Sequence, residues 1–179
     1  MKTNRSWIYP IAIIGFLLIL SNVEGNSIYS DLTRNYYSHQ PVSLFGPRMG
    51  VTVIAGETAE KLKNDYDAVP IITQFGWQFE WRFFSIEDGP TGVVEIIPLI
   101  GGLEQGLFIP SLSIPMGIRS KTGFEIGIGP NISISGFSIV IAVGQTFQAG
   151  QLYLPLNFAF VPSKEGARFS LIFGFNTAR

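Results

Sequence analysis

From residue 44 onward the chain alternates between apolar and polar positions with a period of two. The clearest run is Gln74-Phe75-Gly76-Trp77-Gln78-Phe79-Glu80-Trp81-Arg82-Phe83. Phe75, Trp77, Phe79, Trp81 and Phe83 fall on one face; Gln74, Gly76, Gln78, Glu80 and Arg82 fall on the other. Side chains of a strand alternate across its two faces, so this run predicts a strand with one apolar and one polar side. The split recurs downstream. Leu112, Ile114, Met116 and Ile118 oppose Ser111, Ser113, Gly117 and Arg119. Phe124, Ile126 and Ile128 oppose Glu125, Gly127 and Gly129. Phe137, Ile139, Ile141 and Val143 oppose Ser138, Ala142 and Gly144. Leu152, Leu154, Leu156, Phe158 and Phe160 oppose Asn157 and Ala159, and Phe169, Leu171, Phe173 and Phe175 oppose Arg168, Ser170 and Gly174. A short strand over residues 49–55 and a strand over 93–100, apolar on both faces except at Glu95, complete the set.

Turn signals such as Asp88-Gly89-Pro90, Thr122-Gly123, Ser135-Gly136 and Ala149-Gly150 separate these segments. Connections this short make sequential strands antiparallel neighbours. The count is about eight, and the pattern predicts a closed all-β, antiparallel up-and-down barrel. The exception is the first connection, residues 56–67. Its Glu57-Thr58-Ala59-Glu60-Lys61-Leu62-Lys63 stretch favours a helix with Ala59, Leu62 and Tyr66 on one side. Pro98, Pro110, Pro115, Pro130 and Pro155 each remove a ladder donor, and are expected at strand ends, bulges or the lipid–water boundary.

Alternation alone does not say which face is inside; charge decides. Charged residues make up 14% of the chain, against about 25% in a typical soluble domain. Past the N-terminal segment, lysine occurs only at Lys61, Lys63, Lys121 and Lys164, all in the helical connection or in turns. The polar strand faces are mostly Gly, Ser, Thr, Gln and Asn, with Glu80, Glu95 and Glu125 set against Arg82, Arg119 and Arg168. A water-facing surface would be richer in Lys and Glu. Five rings from one strand would also overfill an eight-stranded interior. The expected sense is therefore inverted: apolar face toward lipid, polar face toward a narrow lumen. Phe75, Trp77, Phe79, Trp81 and Phe83 are the expected lipid-facing aromatics. Gln78, Glu80, Arg82, Glu95, Arg119, Glu125 and Arg168 are the expected polar network of the lumen.

The N-terminus supports export. Lys2 and Arg5 precede the apolar run 11–20, and Val23 and Gly25 are the small residues before a cut near Asn26. That is a secretory signal over residues 1–25, and its apolar run is too short for a spanning helix. Residues 26–43 read as a periplasmic tail, and residues 44–179 as the barrel.

The chain at this point resembles the small outer-membrane β-barrel proteins of Gram-negative bacteria. The resemblance covers the alternating segments, the export signal and the last strand Arg168-Phe169-Ser170-Leu171-Ile172-Phe173-Gly174-Phe175. It implies a cell outer-membrane location, outer-membrane lipid as the surrounding partner, and contact with the barrel-insertion machinery, which reads such C-terminal aromatic strands. Many relatives end on an aromatic residue; this chain ends Asn176-Thr177-Ala178-Arg179.

Candidate chemistry is sparse. Cysteine is absent and His39 is the single histidine, so thiolate and His-cluster metal sites are excluded. Net charge is -1 with scattered cations, which gives nucleic acid no basic patch. His39 lies in the tail, leaving Ser111 and Ser113 without a base. The sequence therefore reads as a non-enzymatic barrel with no cofactor, a mostly filled polar lumen and a structural or interaction role. The alternatives are a narrow, porin-like passive pore for small solutes, or an accessory barrel for secretion or envelope assembly whose tail docks a periplasmic partner.

Overall fold

A computed structural model describes residues 44–178 except residue 88; the expected export signal and periplasmic tail lie outside the described residues. The elements run β1 (Leu44–Ile54), α1 (Glu57–Tyr66), β2 (Ile71–Ser85), β3 (Thr91–Gly101), a 3-10 turn (Leu103–Gln105), β4 (Ile109–Ser113), β5 (Met116–Arg119), β6 (Phe124–Ser133), β7 (Gly136–Ala149), β8 (Leu152–Val161), β9 (Arg168–Gly174) and β10 (Asn176–Ala178). All strand pairs are antiparallel.

Ten strands make eight passages. β4 and β5 share the neighbours β3 and β6 and are interrupted at Ile114-Pro115, where proline offers no N–H. Around the break, Ile114 N–H still donates to Pro130 O at 2.9 Å and Glu95 N–H to Pro115 O at 2.9 Å. β9 and β10 likewise share β1 and β8 and part at Phe175, whose N–H reaches Pro47 O at 3.4 Å. Pairing of β1 with both β2 and β9 closes the sheet into a barrel.

The stagger follows from the registers. Paired residues lead from Thr73 through Val51, Leu171, Phe158, Val143, Ile126, Ile118 and Gly92 back to Phe84 on the starting strand. One circuit thus advances along β2 from residue 73 to residue 84, with a bulge between Arg82 and Phe84 included. Such a stagger is what steeply tilted strands need to close eight passages.

Pro115 falls at the break between β4 and β5 and Pro110 beside the start of β4, whereas Pro98, Pro130 and Pro155 sit inside strands. Pro98 lies opposite Leu112, Pro130 opposite Ile139, and Pro155 opposite Thr146. Thr146 N–H points to the other neighbour, donating to Gly123 O at 2.9 Å in continuation of the β6–β7 ladder. Interruption of the ladder, rather than exclusion from it, is how this barrel accommodates them.

α1 carries Glu57 and Glu60 in its first turn and Lys63 in its last, signs that suit the helix dipole. It ends where Asp67 adopts a left-handed conformation, φ 49°, which an aspartate tolerates better than most residues. Leu62 is buried with Ile54, Ala68, Ile72 and Ile109, and Ala59 packs on the same cluster. Tyr66, expected beside them, is 64% exposed because the helix finishes beyond the cluster. The helix thereby covers one side of the barrel mouth opposite the termini, where Leu44 pairs Ala178.

Candidate functional site in the barrel interior

Outward positions along the strands are bulky and apolar: Met49, Val51, Phe75, Trp77, Trp81, Phe83, Met116, Ile126, Ile139, Phe158 and Leu171 are all exposed. Phe79 also points outward, half-covered by Phe45, whose ring lies 5.2 Å from it edge-on. The bulge in β2 puts Phe84 beside Phe83, their rings 5.1 Å apart. Both lie over Gly92, where any Cβ would come within 2.3 Å of the Phe84 ring. A side chain at this position would have to displace the two rings.

Many inward positions are polar and mutually bonded, beside a buried apolar set of Val140, Ala159 and Val161. Arg119 on β5 is the hub. Its guanidinium holds Glu80 on β2 at 2.5 Å, Glu125 on β6 at 2.8 Å and Glu95 on β3 at 3.7 Å. Glu80 also accepts from the Leu44 backbone N–H at 3.3 Å. Asn157 on β8 donates to Glu125 at 2.6 Å, and Gln78 donates to Glu95 at 2.6 Å and to Glu80 at 3.3 Å. Arg48 on β1 donates to Gln78 and, at 2.7 Å, to Asn176 on β10. Residues from β1, β2, β3, β5, β6, β8 and β10 meet in this network. A second, uncharged set lies nearer α1: Thr52 donates to Gln74 at 2.5 Å and meets Ser170 at 2.7 Å. Arg168 donates to Asn131 at 2.5 Å, and Asn131 to Ser113 at 2.9 Å.

The predicted network residues divide accordingly. Gln78, Glu80, Glu95, Arg119 and Glu125 come together. Arg168 is inward but belongs to the Asn131 set. Arg82 is exposed. Its backbone pairs with Val93 alone, because β1 begins at Leu44, opposite Glu80, and no described wall faces β2 beyond that point. Arg48, Asn157 and Asn176 are members the sequence reading omitted. For Arg48 a signal was present: Gly46, Arg48, Gly50 and Thr52 alternate with Phe45, Pro47, Met49 and Val51.

A cavity of about 20 Å³ remains beside Glu95, Glu125, Gly117, Ala142 and Asn157. That is room for about one water, and Asn157 Oδ1 is a buried acceptor without a partner. Charges here are packed and paired, the arrangement a low-dielectric interior demands. Among the described residues no group of three or more His, Cys, Asp and Glu could hold a metal ion.

At the helix-side end, Glu104 in the 3-10 turn accepts from Thr73 N–H at 2.8 Å and Thr73 Oγ1 at 2.5 Å. Slight burial pushes its carboxyl up, but these hydrogen bonds outweigh it and hold the group below its ordinary range.

No known protein family matches the chain, and no curated protein does. Two solved structures resemble it. One is the attachment invasion locus protein Ail of Yersinia pestis, 10% identical, covering 76% of this chain and 99% of that one at a TM-score of 0.49. The other comes from the de novo design of transmembrane β-barrels, 9% identical, covering 78% and 98% at a TM-score of 0.42.

Proposed function

We propose that this chain is an exported outer-membrane β-barrel with a structural or interaction role and no open pore. The inverted surface carries the reading: bulky apolar side chains cover the outside of the wall, while three carboxylates and their arginines are enclosed within it. A barrel folded in water would gain by exchanging the two faces. In the lipid-facing sense, the outward rings meet hydrocarbon and the backbone is satisfied by closure of the sheet.

The interior argues for the structural role over a passive pore. Side chains bond over intervening strands, Arg119 to Glu80 past β3, Asn157 to Glu125 past β7 and Arg168 on β9 to Asn131 on β6, and α1 with its apolar cluster covers part of one mouth. In an exported barrel with periplasmic termini, α1 and the 163–166 turn face outward. They are joined by the Lys61–Glu165 pair at 3.3 Å. This exposed, mixed-charge surface is the part available to a partner.

Membrane fractionation and an unboiled gel test the placement, with a compact, heat-modifiable band in the outer-membrane fraction expected. Phe79→Lys then tests the face assignment. It should destabilise the barrel in bilayers by about 2 to 4 kcal/mol, the cost of a lysine near the midplane. A soluble protein in which Phe79→Lys is neutral would overturn the reading.

A further inference from the structure

The inward-facing arginines keep different company. Arg119 holds three carboxylates, and Arg48 sits in the same cluster. Among the described residues Arg168 makes one hydrogen bond, to Asn131 at 2.5 Å. Its Nε is buried without a partner, and it forms no ion pair among the described residues. A guanidinium carries five donors, and a half-buried one without an anion is poorly compensated.

Its position is accessible from outside. Arg168 opens β9 opposite Ile54 and Val161, each the last residue of its strand. It therefore lies at the mouth opposite the termini. α1 covers the mouth from the side of β1, β2 and β4. Across from it, β6 and β7 are joined by Ile134 and Ser135 alone, so the wall is low beside Asn131. That hairpin is uncharged to its tip, where serines alternate with Ile134, 65% exposed, and Phe137, 74% exposed. No charged residue occurs between Glu125 and Lys164. A group approaching over this hairpin meets no charge before Arg168.

We propose that Arg168, oriented by the buried Asn131, is the cation of an anion site that takes a phosphate group. Its guanidinium, held to Asn131 through Nη2, supplies the kind of charged donors that phosphate oxygens accept from. The phosphate is either part of an outer-leaflet lipid headgroup or free in solution. The first source rests on the membrane placement proposed above; the second does not.

The folded chain in maltoside micelles, labelled with ¹⁵N-arginine, separates the two. Inorganic phosphate is titrated in one arm and phosphatidic acid is doped into the micelles in the other, each against chloride of equal ionic strength. The Arg168 Nε–H resonance should shift saturably in at least one arm. Saturation by phosphatidic acid alone assigns a lipid headgroup, and saturation by inorganic phosphate assigns a free anion. Arg168→Gln should weaken binding at least about tenfold, the scale of a lost charged hydrogen bond, and Arg168→Lys should restore it only in part. An Arg168 signal that follows the chloride control in both arms, or an Arg168→Gln variant that binds equally well, overturns the site. The wild-type titration alone decides the matter if a variant does not fold, and fractionation reports on the membrane placement separately.

Discussion

In the terminus-side half of the lumen, Arg119 gathers carboxylates from three other strands; in the helix-side half, Leu62 of α1 rests on Ile54, Ala68, Ile72 and Ile109. The first arrangement demands distant segments: Glu80 and Arg119 are 39 residues apart, and Arg48 and Asn176 are 128 apart. Glu80 and Arg119 meet only when β2, β3 and β5 are in register, and Arg48 and Asn176 only where β1 closes on β10, so the charges reward the right strand order and register. The second is mostly local in sequence, and hydrophobic contact is indifferent to small rotations. Charge therefore specifies the closed barrel, and hydrocarbon dresses its mouth.

Removing the hub should produce the largest effect. Arg119→Ala leaves Glu80, Glu95 and Glu125 without their shared cation. Stranding buried carboxylates in this way costs about 3 to 5 kcal/mol. Urea unfolding in micelles should show a large fall in midpoint with every strand affected. A loss below 1 kcal/mol, on the scale of an exposed pair, would mean that water reaches the cluster.

Leu62→Ala attacks the other half and should do less. A buried leucine cut to alanine costs about 2 kcal/mol or more, with the low end expected at a mouth open to solvent. Hydrogen exchange should accelerate in α1 while the strand amides stay protected. Equal acceleration throughout the barrel would erase the distinction between the two halves.

The two halves were also unequally legible in the sequence. Alternation separates the two faces and the sparse charge on one of them marks the inside, so Glu80, Glu95, Arg119 and Glu125 could be assigned there without knowledge of the fold. Their assembly around one arginine depends on stagger, which no local pattern encodes. Arg48 was missed because the first strand was read from Met49. Pro47 looks like a break, yet it lies within β1 and accepts from Phe175 through its carbonyl. Arg82 differs from the clustered residues because it lies past the point where β1 begins, which a period of two along β2 does not reveal. The plug was legible in outline because Ala59 and Leu62 share a helical face, whereas the exposure of Tyr66 depends on where the mouth lies.

Glu104 gives the smallest and most local test, and it concerns the helix-side end alone. Its carboxylate is exposed and bonded to Thr73, and those bonds hold its ionisation below the ordinary carboxylate range of about 4.3. A group with a lowered folded-state value contributes stability above its unfolded value and loses that contribution as pH falls through the folded one. Acidification below that range should therefore release the 3-10 turn while the strands remain paired. The Thr73 amide resonance should follow this titration, and Glu104→Gln, which cannot ionise, should abolish it without moving the urea midpoint measurably. If the midpoint fell with Glu104→Gln as far as with Leu62→Ala, the turn would belong to the plug, and the helix-side half would be held by charge as well as by hydrocarbon.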